Sequence, residues 1–239
     1  MDHKWYYKGY MRVLRDGLSI CLFAHNEGNF LKDAYDSILQ NLAKLTKCGI
    51  KLEHEIIFII DSPDVETAKI VNEIDKTGIK LEKVSTQDLG VNRNIAANLA
   101  IFDKIAFLDG DDIWDENWLA LCLSKFGKGY QILHPETVVY CGERNEIAIC
   151  KSSNRITSTK RIMRENLWVS SIFTRTKILL ENRYYTKTEL DASDFEDWNW
   201  NRSTLKKGLR HKVVKKSYIY VHTRKDSLSQ NLIREMKSI

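Results

Sequence analysis

Three short apolar runs, each stopping at a polar or acidic residue and each followed by a segment of helical period, constrain this chain more than any other feature. Residues 18–24 are apolar apart from Ser19 and stop at His25-Asn26-Glu27; residues 56–60 stop at Asp61; residues 105–108 stop at Asp109-Gly110-Asp111-Asp112. Runs this short and this apolar read as strands buried on both faces. After the first, Phe30, Ala34, Tyr35, Ile38, Leu42 and Leu45 recur at helical spacing. After the second, the turn Ser62-Pro63-Asp64 opens a helix over 65–74. Residues 81–84 supply a further short strand, and Ile95, Leu99 and Phe102 mark a helix over 91–102. Strands and helices alternating through short connections predict a parallel sheet with helices on both faces.

The second half is less regular. Residues 137–141 and 146–150 flank Gly142 as a candidate hairpin, 168–173 and 213–221 are candidate strands, and 194–207 reads as a helix that Gly208 stops. No Pro/Gly/Ser-rich linker divides the halves. With 43% hydrophobic and 29% charged residues, the composition is that of a chain able to bury a core rather than of a disordered one. No apolar run approaches the roughly 20 residues of a membrane helix, and residues 1–10 carry Asp2, Lys4 and Lys8 where a secretion signal would be apolar. The formal charge of +5 suits an anionic partner without choosing one. Residues 152–164 and 206–216 are basic, and a solvated face is the plain reading of such runs. Five cysteines without C-x-x-C spacing read as buried free thiols, and six histidines form no zinc pattern.

Open α/β sheets bind ligands beyond the carboxyl ends of their strands. Here those ends carry His25, Asn26, Glu27, Asp61 and the 109–112 tetrad. Gathering carboxylates at one edge is costly unless a cation or donor groups offset them. Oxygen ligands of this kind suit magnesium or manganese. The rival reading of the tetrad is a solvated strand-to-helix turn with Asp112 or Asp115 as the cap.

Taken in order, these segments resemble the family-two glycosyltransferases of GT-A fold. Residues 19–27 are similar to that family's opening strand, 57–61 to its second strand with a terminal Asp, and Leu89-Gly90-Val91-Asn92-Arg93-Asn94 to its Gly and Ala-Arg-Asn segment. Residues 107–112 resemble its Leu-Asp-x-Asp-Asp, Phe195-Glu196-Asp197-Trp198 its Glu-Asp motif, and Tyr220-Val221-His222 with Ser227 and Ser229 its closing segment. The chain departs from the pattern after the second strand. Asp61-Ser62-Pro63-Asp64 stands where the family often has Asp-Asp-Gly-Ser-Thr-Asp.

The resemblance implies an α/β GT-A fold: a single Rossmann-like mixed sheet with helices on both faces. It implies one domain over 1–239, with 18–112 as the nucleotide-sugar-binding half and 113–239 as the acceptor-binding and catalytic half. The implied activity is inverting transfer of a sugar from a nucleotide-diphosphate donor to an acceptor hydroxyl, in bacterial surface polysaccharide assembly. The implied cofactor is Mn2+ or Mg2+, held by Asp111 with Asp109 and His222. Ala24, His25, Asn26, Glu27, Asp61, Arg93, Asp109 and Gly110 would line the nucleotide-sugar site. Asp197, beside Glu196, would be the catalytic base. The partners would be the donor and a glycan or lipid-linked acceptor, with no nucleic acid. The setting would be the cytoplasm, with peripheral contact at the inner membrane face left open. Trp198 and Trp200 read equally as a sugar platform or as core. Two other readings of the residues stand beside this one. They are a haloacid-dehalogenase-like phosphatase working through Asp109 and Asp111, and a non-catalytic anion-binding module built on 152–164.

Overall fold

The run at 18–24 is the carboxyl half of β2 (Tyr10–Ala24), between β3 (His54–Asp61) and β5 (Phe102–Asp109), both parallel to it. Its core residues Leu18, Ile20, Cys21 and Leu22 are wholly buried, as expected of a strand covered on both faces. Ser19 is tolerated there because its hydroxyl donates to Glu55 Oε1 (2.6 Å) and accepts from the Phe102 amide (3.3 Å). The computed structural model describes residues 3–7, 10–127, 129, 131–143, 145–150, 160–191 and 194–223. Thus 151–159, Ser227 and Ser229 lie outside the described residues.

One ten-stranded sheet runs β4-β3-β2-β5-β9-β7-β10-β6, with β1 (His3–Tyr7) on β2 and β8 (Glu146–Ile149) on β7. The strands from β4 (Ile79–Val84) to β5 are parallel. The sheet as a whole is mixed, as the family resemblance implies, rather than parallel throughout as the alternation alone suggests. Strand β9 (Ile172–Arg175) is antiparallel to both β5 and β7 (Ile132–Gly142), and β10 (His211–Thr223) is parallel to β7. Strand β6 (Asp112–Trp114) pairs antiparallel with β10, Val221 opposite Asp112. The chain therefore leaves β5 at Asp109 and within three residues joins the far end of the sheet. That detour sets the acidic tetrad beside the end of β10.

Helix α1 (Phe30–Lys47) buries Leu31, Ala34, Ile38 and Leu45. Its buried Asn41 accepts from the amide of Leu119 (3.0 Å) and donates to the carbonyl of Asp115 (3.0 Å). It thereby serves the start of α4 (Trp118–Lys125), whose own N-cap Asn117 makes no side-chain cap bond. Asp64 caps α2 (Val65–Glu73) through the Thr67 amide (2.7 Å), as the turn predicts. Asp88 caps α3 (Leu89–Leu99) through the Val91 amide (3.2 Å).

Phe102 is not the end of that helix but the first residue of β5, opposite Arg15 of β2. Its spacing from Leu99 fits a helix face, and strand pairing overrides it. The candidate hairpin is β7–β8, Thr137 opposite Ile149. The strand expected at 168–173 begins only at Ile172, leaving 168–171 as a connection. Helix α5 (Thr176–Glu181) and α6 (Glu196–Lys206) follow. Gly208, at φ +86°, ends the latter as expected. Of the cysteines, Cys21 and Cys122 are buried and Cys48 is exposed, so burial does not hold for all five. No described helix is long and apolar enough to cross a membrane.

Candidate active site

Helix α3 joins the carboxylates that the sequence distributes over three segments. Asn92 donates to Asp61 Oδ2 (2.8 Å), at the end of β3. The next residue, Arg93, is 1% exposed and donates through both terminal nitrogens to Asp109 (3.0 and 3.3 Å), at the end of β5. The same guanidinium reaches Glu196 at the start of α6 through Nε (3.2 Å) and Nη2 (3.0 Å). Its planar fork can serve two carboxylates at once, which a lysine ammonium cannot. Burial works against the charge of Arg93, but Asp109 and Glu196 outweigh it and hold the group firmly protonated. The rings of Phe23 (5.0 Å) and Tyr184 (5.7 Å) flank the cation.

Asp61 is buried, which raises its proton affinity. The hydrogen bonds from Asn92, from the Thr86 hydroxyl and amide, and from Ser62 outweigh that, so its carboxyl titrates below the usual range. His25 bonds through Nδ1 to the carbonyl of Asp61, and a carbonyl can only accept. Its Nε2 is then an acceptor, within 3.1 Å of the Asn26 amide nitrogen. Asn26 Oδ1 accepts from the amide of Asp64 (2.9 Å), and Glu27 accepts from the amide of His25. Ala24 is buried opposite Ile60 and carries the chain into this cluster. Asp61, Thr86 and Asn92 thus form one locked group beside His25.

Asp197 differs from its neighbours. It is half-buried, and protein packed around it raises its carboxyl to about 7, with the Glu196 charge adding to the effect. Arg93, the Asn166 side chain (3.1 Å) and the Trp198 amide (2.6 Å) oppose the rise without cancelling it. A carboxylate tuned to the neutral range is suited to taking a proton from a hydroxyl.

On the other side of the tetrad, His222 Nδ1 donates to the carbonyl of Asp111 (2.7 Å) and its ring packs on Phe30 (4.5 Å between centroids). That bond fixes the tautomer and leaves Nε2 as the lone-pair nitrogen, the form a metal takes. Among the described residues no three His, Cys, Asp or Glu side chains come together as a ready-made metal cluster. Asp111 and His222, joined through the Asp111 carbonyl, carry the carboxylate oxygen and imidazole nitrogen types that suit a divalent cation. Asp109, by contrast, is engaged by Arg93 and by the Ser170 hydroxyl (2.6 Å).

Rival readings of this region fare differently. Asp112 is 4% exposed in β6 and is no solvated helix cap, whereas Asp115 accepts from the Asn117 amide (3.3 Å) just before α4. Trp200 is not a sugar platform but core, 1% exposed and stacked on Tyr184 (5.0 Å, 8°). The indole of Trp198 donates to the carbonyl of Ile162 and lies under Arg202 (4.8 Å). A depression of about 500 Å³ lies along the Asn199, Arg202, Ser203 and Lys206 face of α6, away from Asp197.

Gly110 has a steric role. A Cβ there would stand 2.6 Å from the Phe23 carbonyl and 3.2 Å from Glu27 Cγ, and backbone cannot yield as a flexible side-chain end can. Gly110→Ala is expected to cost about 1–3 kcal/mol in a urea melt, because the shift passes into the backbone at Phe23.

The family model for Glycosyl transferase family 2 matches residues 19–187, well over half of the chain. The chain belongs to that family. No curated protein matches it. Among solved structures, S. aureus TarS 1-349 in complex with UDP-GlcNAc aligns at 16% identity and TM-score 0.65, over 88% of this chain and 60% of that one. Glucosyl-3-phosphoglycerate synthase from Mycobacterium tuberculosis, in complex with Mn2+, UDP and phosphoglyceric acid, aligns at 14% identity and TM-score 0.60, over 91% and 73%. The chain spans about 60% of the TarS fragment's length. These likenesses show the GT-A fold.

Several members of this site had no signal of their own in the sequence. Asn92 stands beside Arg93 in a segment already noted, and its helical position made it readable. Thr86, Asn166, Ser170 and Tyr184 were not readable, since each reaches the site from a connection whose path is set by distant packing.

Proposed function

We propose that this family member is an inverting, metal-dependent glycosyltransferase. It moves a sugar from a UDP-sugar to an acceptor hydroxyl, with 18–112 holding the donor and 113–239 the acceptor and base. The observation that carries this reading is Asp197. It is a carboxyl held near neutral proton affinity, next to a Glu196–Arg93–Asp109 bridge that ties it to the donor end of the sheet. UDP in both structural neighbours, and Mn2+ in one, support the choice of donor and cofactor. Asp61, His25, Asn26 and Glu27 would receive the base and ribose. Asp111 and His222 would hold Mn2+ or Mg2+, which when bound supplies charge neutralisation to the departing diphosphate. Asp197 accepts the acceptor's proton as its oxygen attacks the anomeric carbon, opposite the leaving diphosphate, in one displacement. Glu196 keeps Arg93 in place behind it.

A phosphatase working through Asp109 is disfavoured. Both of that residue's oxygens are engaged by Arg93, and Ser170 adds a third bond, which leaves a poor nucleophile. A glycan or lipid-linked acceptor in surface polysaccharide assembly, and contact with a membrane's inner face, fit the net positive charge and remain part of the proposal.

Thermal-shift titration with UDP, GDP, CDP and dTDP, each with and without Mn2+, tests the reading. UDP with Mn2+ should raise Tm, by the equivalent of about 2.7 kcal/mol at a hundred times Kd. Asp111→Ala should abolish the Mn2+-dependent part. No shift with any nucleotide would overturn the proposal, and a shift with GDP alone would overturn the choice of UDP.

A further inference from the structure

The connection just before β9 touches both ends of the site and is itself clamped from behind. Asn166 donates to Asp197 Oδ2 (3.1 Å) and Ser170 to Asp109 Oδ2 (2.6 Å), so the two ends of a five-residue stretch serve the base and the donor-side carboxylate together. Between them Trp168, 4% exposed, turns inward among Ile162, Leu205 and Val213. Its indole lies flat on two imidazoles, His134 of β7 (4.4 Å, 10°) and His211 of β10 (4.9 Å, 10°). The imidazoles lie almost in one plane (8°) and are joined edge to edge, His134 Nε2 to His211 Nδ1, at 2.9 Å.

The proton positions in this pair follow from Thr204 on α6. Its hydroxyl proton goes to the carbonyl of Trp200 (2.7 Å), so its oxygen accepts from His211 Nε2–H (3.1 Å). His211 Nδ1 must then accept from His134 Nε2–H, and His134 Nδ1 is left buried with no partner. Burial keeps both rings neutral: His134 titrates far below the usual histidine range and His211 at about 3. A neutral, flat, hydrogen-bonded pair is a platform matched in area to an indole. Through Thr204 it is fastened to the helix that carries Asp197.

We infer that Trp168 is a positioning residue: seated on the His134–His211 platform, it fixes the 166–171 connection so that Asn166 and Ser170 hold Asp197 and Asp109 in register. This rests on the functional reading above for its consequence in catalysis, but not for its geometry. The groups facing Asp197 are Glu196 on its own helix, Arg93 on α3, Tyr184 after α5, and the donors Asn166 and Trp198 N–H. Of these, Asn166 is the one carried by the connection that Trp168 anchors, while Trp198 packs against the same cluster from α6. Asn166 stabilises the charged carboxylate, so releasing it raises the affinity of Asp197 for its proton.

The test is a 13C-NMR titration of the aspartate carboxyls in the full chain, together with the pH profile of UDP release from a UDP-sugar. Trp168→Leu keeps apolar bulk and loses the flat platform; Trp168→Phe keeps a ring. In Asn166→Ala the Asp197 midpoint should rise by about half a pH unit or more. Trp168→Leu should match it, and the double variant should add nothing further. The acid limb of kcat should move with the midpoint, kcat at pH 6.5 falling by about 3- to 10-fold with the donor KM little changed. Trp168→Phe should return most of the shift. A merely structural Trp168 would lower Tm and leave the midpoint in place, and that result in folded Trp168→Leu overturns the inference. Should Trp168→Leu not fold, an unmoved midpoint in Asn166→Ala, which alters only an exposed side chain, overturns it as well. If the wild-type chain transfers no sugar, the functional reading fails and the titration still decides this one.

Discussion

Asp197→Asn is expected to lower kcat by about 100- to 10,000-fold, the span a positioned general base supplies, while UDP binds as in the wild type. The proposed donor contacts lie at Asp61 and the tetrad, and the substitution leaves the Arg93 bridge to Glu196 intact. The wild-type pH profile should fall on the acid side of about pH 7, where Asp197 takes up its proton. The same shift carries a stability signature of definite sign. The folded carboxyl titrates at about 7 and the unfolded one near the ordinary 3.8. Between those values the folded chain holds a proton that the unfolded chain has released. Stability from this group is therefore lost as pH rises through the window, and stays lost above it. Asn carries no such penalty. Asp197→Asn should melt above the wild type at pH 8, and the difference should shrink toward pH 4. Undiminished turnover in the variant would remove the base assignment. A lower Tm at pH 8 would remove the electrostatic account of it.

Replacing Arg93 has the largest structural effect expected. Arg93→Met leaves Asp109 and Glu196, 23% and 15% exposed, without their shared cation. Breaking a buried ion network by removing one member costs about 3–5 kcal/mol, which for a chain of this size is on the order of 6–20 °C in Tm. Arg93→Lys should recover little, because one ammonium cannot make the four bonds that the guanidinium directs to two carboxylates. Adding Asp109→Asn and Glu196→Gln to Arg93→Met should restore a substantial part of the stability and none of the activity. Differential scanning calorimetry with a transfer assay reads both. A triple variant no more stable than Arg93→Met would mean that the loss comes from packing against Phe23 and Tyr184, not from stranded charge.

How much of this was legible beforehand depended on the range of the interactions. Residues 18–24, 56–60 and 105–108 announced themselves as strands because burial on both faces leaves an unbroken apolar run. Asp64 announced a helix start because capping is settled within three residues. Phe102 was misleading because spacing three after Leu99 satisfies a helix face, while its strand pairing with Arg15 reaches across 87 residues of chain. Helix α4 gave no local cap signal, since its cap is Asn41, more than seventy residues away. The mixed half of the sheet followed from the family resemblance but not from strand-helix alternation, for the same reason: β6 joins β10, not the strand it follows.

The sequence by itself determined which carboxylates would crowd one sheet edge, because strand ends and their polar terminations are local properties of the chain. It pointed also to a divalent cation or donor groups that would offset them, and among the described residues Arg93, Asn92 and Thr86 are the donors found there. Only the tertiary structure decided what each carboxylate is for. Asp109 meets a guanidinium, Asp61 a ring of donors, and Asp197 mostly desolvating protein, so Asp61 and Asp197, chemically identical, hold their protons differently. The reason is that proton affinity depends on partners and solvent within a few ångströms, and those partners come from segments far apart along the chain.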